Sequence, residues 1–210
     1  MHLYSHGFNN VSARLIGNAR LRIHRGGIKP WSSTKRDILG HLKNDPSCIA
    51  TLMVDFYGLP SGADDGWPGR ADANALGSAE AKVAVVQSKI LDDIAAAMGS
   101  DFDRSRFVPF VLMHEFEALL FSDCARFAEA IGQANLGAQF QQIRDSFQSP
   151  EEINDSPVTA PSKRIAALFP SYQKILHGNV AVLGIGLQII RDHCPNFRAW
   201  LERLEQVGAS

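Results

Sequence analysis

At 210 residues the chain suits one generous domain, or a domain with a helical appendage. Apolar residues make up 45% and charged ones 20%, which is enough to build a core and excludes wholesale disorder. With 21 Lys and Arg against 22 Asp and Glu there is no global basic field, so any nucleic-acid contact must come from a local patch. Three widely separated cysteines, Cys48, Cys124 and Cys194, form neither a disulfide framework nor a paired zinc motif, and fit a reducing compartment. No segment reaches the length of a membrane span, and Met1–Asn10 lacks a charged region followed by an apolar one. The expectation is a soluble cytoplasmic protein with no membrane partner.

Arg14–Arg25 alternates loosely, with Leu15, Leu21 and Ile23 among basic neighbours, and reads as a short strand before a Gly26-Gly27 turn. Ser33 or Thr34 is expected to cap a helix through Leu42, with Ile38, Leu39 and Leu42 on one face. Cys48–Met53 is a short apolar run that continues through Val54 and ends at Asp55, as a buried strand would. Leu59–Gly69, dense in Gly, Pro and Asp, follows as a loop suited to act as a lid. Ser78 resembles an N-cap for a helix in which Val83, Val86, Ile90 and Ile94 recur toward Gly99. Phe107–Met113 is the second strand, and Pro109 requires an edge position or a bulge there because proline cannot donate to a ladder. The strand breaks off into His114, Glu115 and Glu117, while Phe116, Leu119 and Leu120 are expected on a buried helical face with the acids outside it.

From Asp123 onward the pattern turns helical, with segments at Cys124–Gly132, Ala134–Phe147, Pro161–Phe169, Val180–His193 and Phe197–Val207. The reading is an α/β core over 1–123 and a helical cap over 124–210. Ser78–Met98 is long enough for a parallel crossover between the two strands. Asp55 and Glu115 are therefore expected side by side at the carboxyl edge of a mainly parallel sheet, where open α/β folds bind ligands.

Hard cations such as magnesium or manganese take carboxylate oxygens, and Asp55, Glu115 and Glu117 supply them. The plainer account is that Asp55 caps a turn and Glu117 faces water on a helix; shared placement at successive strand ends moves Asp55 and Glu115 toward function. His114 has three readings, as ligand, general base or core histidine. His114 and Glu117 lie three apart, but no second clustered histidine completes a zinc site. Lys163 and Arg164, beside Ser162 at a helix start and followed by Lys174, suit a phosphate, against the alternative of solvated surface charge. Gly184 and Gly186 lack the further glycine and preceding strand of a dinucleotide fingerprint, and close helix packing is the better account of them.

VDFYGLP at 54–60, RFVPFVLMHEFEALLFSD at 106–123, APSKRI at 160–165 and the later YQK, GIGL and CPNFRAWLERLE together resemble the DUF4276 family, from about Arg20 to the C-terminus. The resemblance implies a toprim-like (Rossmann-like) fold and magnesium-dependent phosphodiester cleavage, with Asp55 as the toprim aspartate, Glu115 and His114 in catalysis, and Asp55, Glu115 and Glu117 on the metal. It also implies an effector of bacterial anti-phage defence that works with an ABC-type ATPase. One departure stands out: no glutamate precedes Glu80, so the family's opening strand and its Glu-Gly turn are missing. Either the start was assigned too far downstream or the residue has been lost, and the chain as given is expected to be an impaired enzyme with an exposed sheet edge. The rival expectation is a non-catalytic interaction module that an ATPase holds or senses.

Overall fold

A proline stands at the head of the first helix. The computed structural model describes residues 28–62, 64, 66–154 and 159–208, so the strand expected over Arg14–Arg25 lies outside the described residues. Helix α1 (Trp31–Asn44) starts directly after Pro30, whose carbonyl accepts the amides of Ser33 and Thr34 at 3.1 and 3.2 Å. Neither hydroxyl is therefore the cap, because both residues already lie inside the first turn. Ile38 and Leu42 are buried as the spacing predicts.

Strands β1 (Ala50–Asp55) and β2 (Phe107–Leu112) form a small parallel sheet, joined through α2 (Ala79–Met98). The Ser78 hydroxyl accepts the Ala81 amide at 3.1 Å, and Gly99 ends α2 at φ 103°, a conformation that favours glycine. Val86, Ile90 and Ile94 are wholly buried along one stripe of α2. Among the described residues the sheet has two strands, so each has an outer edge and Pro109 is tolerated within β2. The Val111 amide of β2 donates to the Gln87 side chain of α2 at 2.9 Å, and Thr51 Oγ1 of β1 donates to the Val108 carbonyl at 2.6 Å. Arg106 donates to the carbonyls of Leu42, Asp45 and Cys48 at 2.8–3.1 Å, tying the end of α1 to the start of the strands.

The Leu59–Gly69 loop is anchored at Trp67, near its end. Trp67 is buried, packs against Trp31 in a tilted pair with ring centroids 5.0 Å apart and donates to the Lys29 carbonyl at 3.0 Å. Just beyond the loop, Arg70 lies over the Phe56 ring at 4.2 Å.

The described residues divide into two compact units, one formed by those up to Val111 together with Glu202–Gly208, the other by those within Leu112–Leu201. The second unit opens with a 3-10 segment, Phe116–Ser122, and continues through α3 (Cys124–Ala130), α4 (Gly137–Arg144), α5 (Pro161–Leu168), α6 (Lys174–Ile185) and α7 (Leu187–His193) into α8 (Pro195–Gly208). Its aromatic centre is Phe121, Phe127 and Phe140, with Phe127 and Phe140 stacked at 4.6 Å. Gly184 lets α6 approach α3, since a Cβ there would sit 2.6 Å from that of Ala130. Gly186 does something else. At φ 87° it ends α6 and divides the helix expected over Val180–His193. Two thiols of this unit are buried, Cys194 at 3.2 Å from the Ser122 hydroxyl and Cys124 at 3.7 Å from the Phe121 carbonyl, and burial pushes each up to about 12. Among the described residues no helix is long and apolar enough to cross a membrane.

Candidate functional site

The acids after β2 lie at the head of the 3-10 segment Phe116–Ser122. Every residue from Glu117 to Ser122 is buried, so Glu117 lies in the interior at 5% exposure while Phe116, at the head of the segment, is only half-buried. This inverts the expectation that Phe116 is buried and Glu117 faces out. Glu115 precedes the segment in extended conformation, and its carbonyl accepts the Ala118 amide at 2.9 Å.

Glu115 has two partners. Its Oε2 accepts the backbone amide of Ser162 at 2.9 Å, and its Oε1 accepts Lys174 Nζ at 2.9 Å. Ser162 is the second residue of α5, and Pro161 before it carries no N–H, so Glu115 takes one of the unsatisfied amides of that helix start. Lys174, at the start of α6, also lies 3.5 Å from Glu117 Oε1. Two carboxylates thus converge on one ammonium.

Their protonation is pulled in opposite directions. Burial would raise Glu115, but the Ser162 amide and Lys174 outweigh it and hold the carboxyl below its ordinary value. Burial dominates at Glu117 and raises it, against the pull of Lys174. Burial would lower Lys174, yet the hydrogen bond it donates to Glu115 and the charge of Glu117 leave it raised. Tyr172 stands beside the acids. Its hydroxyl is buried, has no hydrogen-bond partner among the described residues, and is raised by burial and then by the charges of Glu117 and Glu115. The Tyr172 ring stacks on His177 at 5.6 Å, and His177 Nδ1 accepts the Gln173 amide at 2.7 Å at the head of α6.

Of the three cations expected at a phosphate, Lys174 reaches the acids. Arg164 instead donates to the Thr159 carbonyl at 2.6 Å and lies over the Phe147 ring at 5.5 Å, and Lys163 is exposed on α5. The start of α5, read as a phosphate cradle, holds the carboxylate of Glu115. His114 is half-buried between β2 and the 3-10 segment. Asp55 belongs to the other unit, where it is the last residue of β1. Among the described residues no group of three or more His, Cys, Asp or Glu is gathered to hold a metal.

Sequence reasoning missed the Ser162 amide and Tyr172 as members of this cluster. The signals were Pro161, which leaves the next amides of a helix start to find side-chain acceptors, and a tyrosine two residues before Lys174. It also missed Glu151, whose carboxylate accepts the Asn196 and Phe197 amides at 2.8 and 2.9 Å behind Pro195, by the same logic at α8.

No characterised protein and no solved structure matches the chain. A family model described as a domain of unknown function, DUF4276, matches residues 3–205, nearly the whole chain, and on that match the protein belongs to the DUF4276 family.

Proposed function

We propose that the protein is a toprim-like, metal-dependent phosphodiesterase acting on nucleic acid, with magnesium or manganese held by Glu115 and Glu117. One observation carries this reading: two carboxylates, one of them almost wholly buried, converge on a single cation. A pair of carboxylates, one of them buried, balanced by one ammonium keeps an excess negative charge when both are ionised, and a divalent ion would neutralise it. The oxygen-only donor set suits magnesium, which binds through one or two carboxylates and keeps several waters. Lys174 is 55% exposed on a long flexible stem, so it has room to leave the acids and turn to a phosphate. Magnesium would supply charge neutralisation at the phosphodiester. The Ser162 amide keeps Glu115 oriented and ionised, and the Tyr172 hydroxyl offers a donor beside Glu117. The finer reading, a defence effector working with an ABC-type ATPase, rests on the family resemblance alone.

Thermal melts with and without magnesium or manganese test the metal site. Metal at about a hundred times its Kd is expected to add about 2.7 kcal/mol to wild type and to lose that effect in Glu115→Gln and Glu117→Gln. Equal shifts in all three proteins would remove the metal from these acids. Cleavage of labelled DNA and RNA by wild type and Asp55→Asn separately tests the role that the toprim resemblance gives Asp55.

A second reading, a non-catalytic interaction module, is favoured by one specific feature: the outer face of α6 is apolar and exposed.

A further inference from the structure

Lys174 sits on the carboxylate oxygens that a divalent cation would need. Its Nζ lies 2.9 Å from Glu115 Oε1 and 3.5 Å from Glu117 Oε1, while the other oxygen of Glu115 is held by the Ser162 amide at 2.9 Å. The three charged groups are not equally free to move. The Lys174 side chain is 55% exposed, against 25% for Glu115 and 6% for Glu117, so the lysine is the member that can swing out. The start of α6 does not depend on these ion pairs. The Gln173 amide donates to His177 Nδ1 at 2.7 Å, the His177 amide donates to the Gln173 carbonyl at 2.9 Å, and the His177 ring packs against Phe169 and Tyr172. All of these residues lie within Leu112–Leu201.

We propose that Lys174 is a built-in competitor for the metal, and that its release couples the binding of the cation to the binding of a phosphodiester. The inference rests on the phosphodiesterase reading and deepens it. An ammonium and a divalent ion drawn to the same oxygens repel each other, so Lys174 yields them when the metal binds. Glu115 and Glu117 stay in place, one fixed by the Ser162 amide and the other by burial. The released ammonium is a positive charge on a flexible stem beside the metal site, where it meets the same phosphate that the metal attracts. A phosphate paired with Lys174 in turn keeps it off the acids. Each ligand therefore strengthens the other, by the same factor in both directions, and neither fills the site well alone.

Calorimetric titration of the intact chain with magnesium reads the competition without any turnover. Lys174→Met should bind the metal about tenfold more tightly than wild type, within the usual range of such couplings. Lys174→Arg keeps a cation over the acids and should stay near wild type. Lys43→Met, which removes the same charge from an exposed position on α1, should leave the affinity unchanged. With a short phosphorothioate oligonucleotide bound, wild type should hold magnesium about tenfold more tightly, and Lys174→Met should show little of that gain. Equal magnesium affinities in wild type and Lys174→Met overturn the proposal and leave the metal site standing. So does an oligonucleotide that leaves the wild-type affinity unchanged, a comparison that needs no substitution. Magnesium binding that is absent from every variant, or that survives intact in Glu115→Gln and Glu117→Gln, overturns the phosphodiesterase reading and this proposal with it.

Discussion

Glu115 and Glu117 share one lysine but differ in everything else around them. Glu115 adds a helix-start amide to the ion pair, whereas Glu117 gives up its hydration for a longer contact to the same Nζ. The signs of their pH effects are therefore opposite. Glu115, with a lowered folded pKa, contributes stability that is present above the unfolded value and lost as pH falls through the folded one. Glu117, with a raised folded pKa, contributes stability that is complete below the unfolded value and lost as pH rises through the folded one. Urea titrations across this range should show Glu115→Gln flattening the acid limb and Glu117→Gln flattening the loss on the other side; the same profile for both variants would mean that the two sites are not distinct. Lys174→Met should cost about 1 kcal/mol, the modest end of the range because the lysine is more than half exposed. The sequence made Glu115, Glu117 and Lys174 legible as chemistry-bearing residues. It did not reveal that Glu117 is the buried one, because a periodic pattern assumes one solvated face and the whole of Glu117–Ser122 is buried.

At the scale of elements, boundaries were set by atoms that periodicity does not see. Ser78 capped α2 as its residue type and position indicated, but α1 took its start from Pro30, and an apparently continuous helix was cut at Gly186 by a positive φ. Gly186→Ala should destabilise the protein by about 1 kcal/mol through that backbone conformation, as read from the midpoint of a urea melt at unchanged slope. The cap on α8 is a longer-range device, in which Glu151 reaches across 45 residues to the helix start. Glu151→Ala should cost about 0.5–2 kcal/mol, and amide exchange should rise first at Asn196 and Phe197. A local scan could not find this partner, since nothing near Pro195 in sequence identifies residue 151 as the acceptor.

For the molecule as a whole, the strand-helix-strand order was readable because both strands are short apolar runs and α2 repeats every three to four residues between them. The tertiary closures were not readable: a glutamine on α2 completes the outer edge of β2, and one arginine collects three carbonyls. Gln87→Ala should bare the Val111 amide and increase association on heating, measured by light scattering, because an uncovered strand edge invites pairing. The cysteines carry a further consequence. At a pKa of about 12, roughly one part in 10⁵ of Cys124 or Cys194 is thiolate at neutral pH, and both thiols are also shielded by packing, whereas Cys48 is partly exposed. A maleimide dye should thus mark each native chain once, at Cys48, in the unit that holds the sheet, and reach the other two thiols only as Leu112–Leu201 opens. The chain carries its own clock for the unfolding of one unit, with no tag needed to read it.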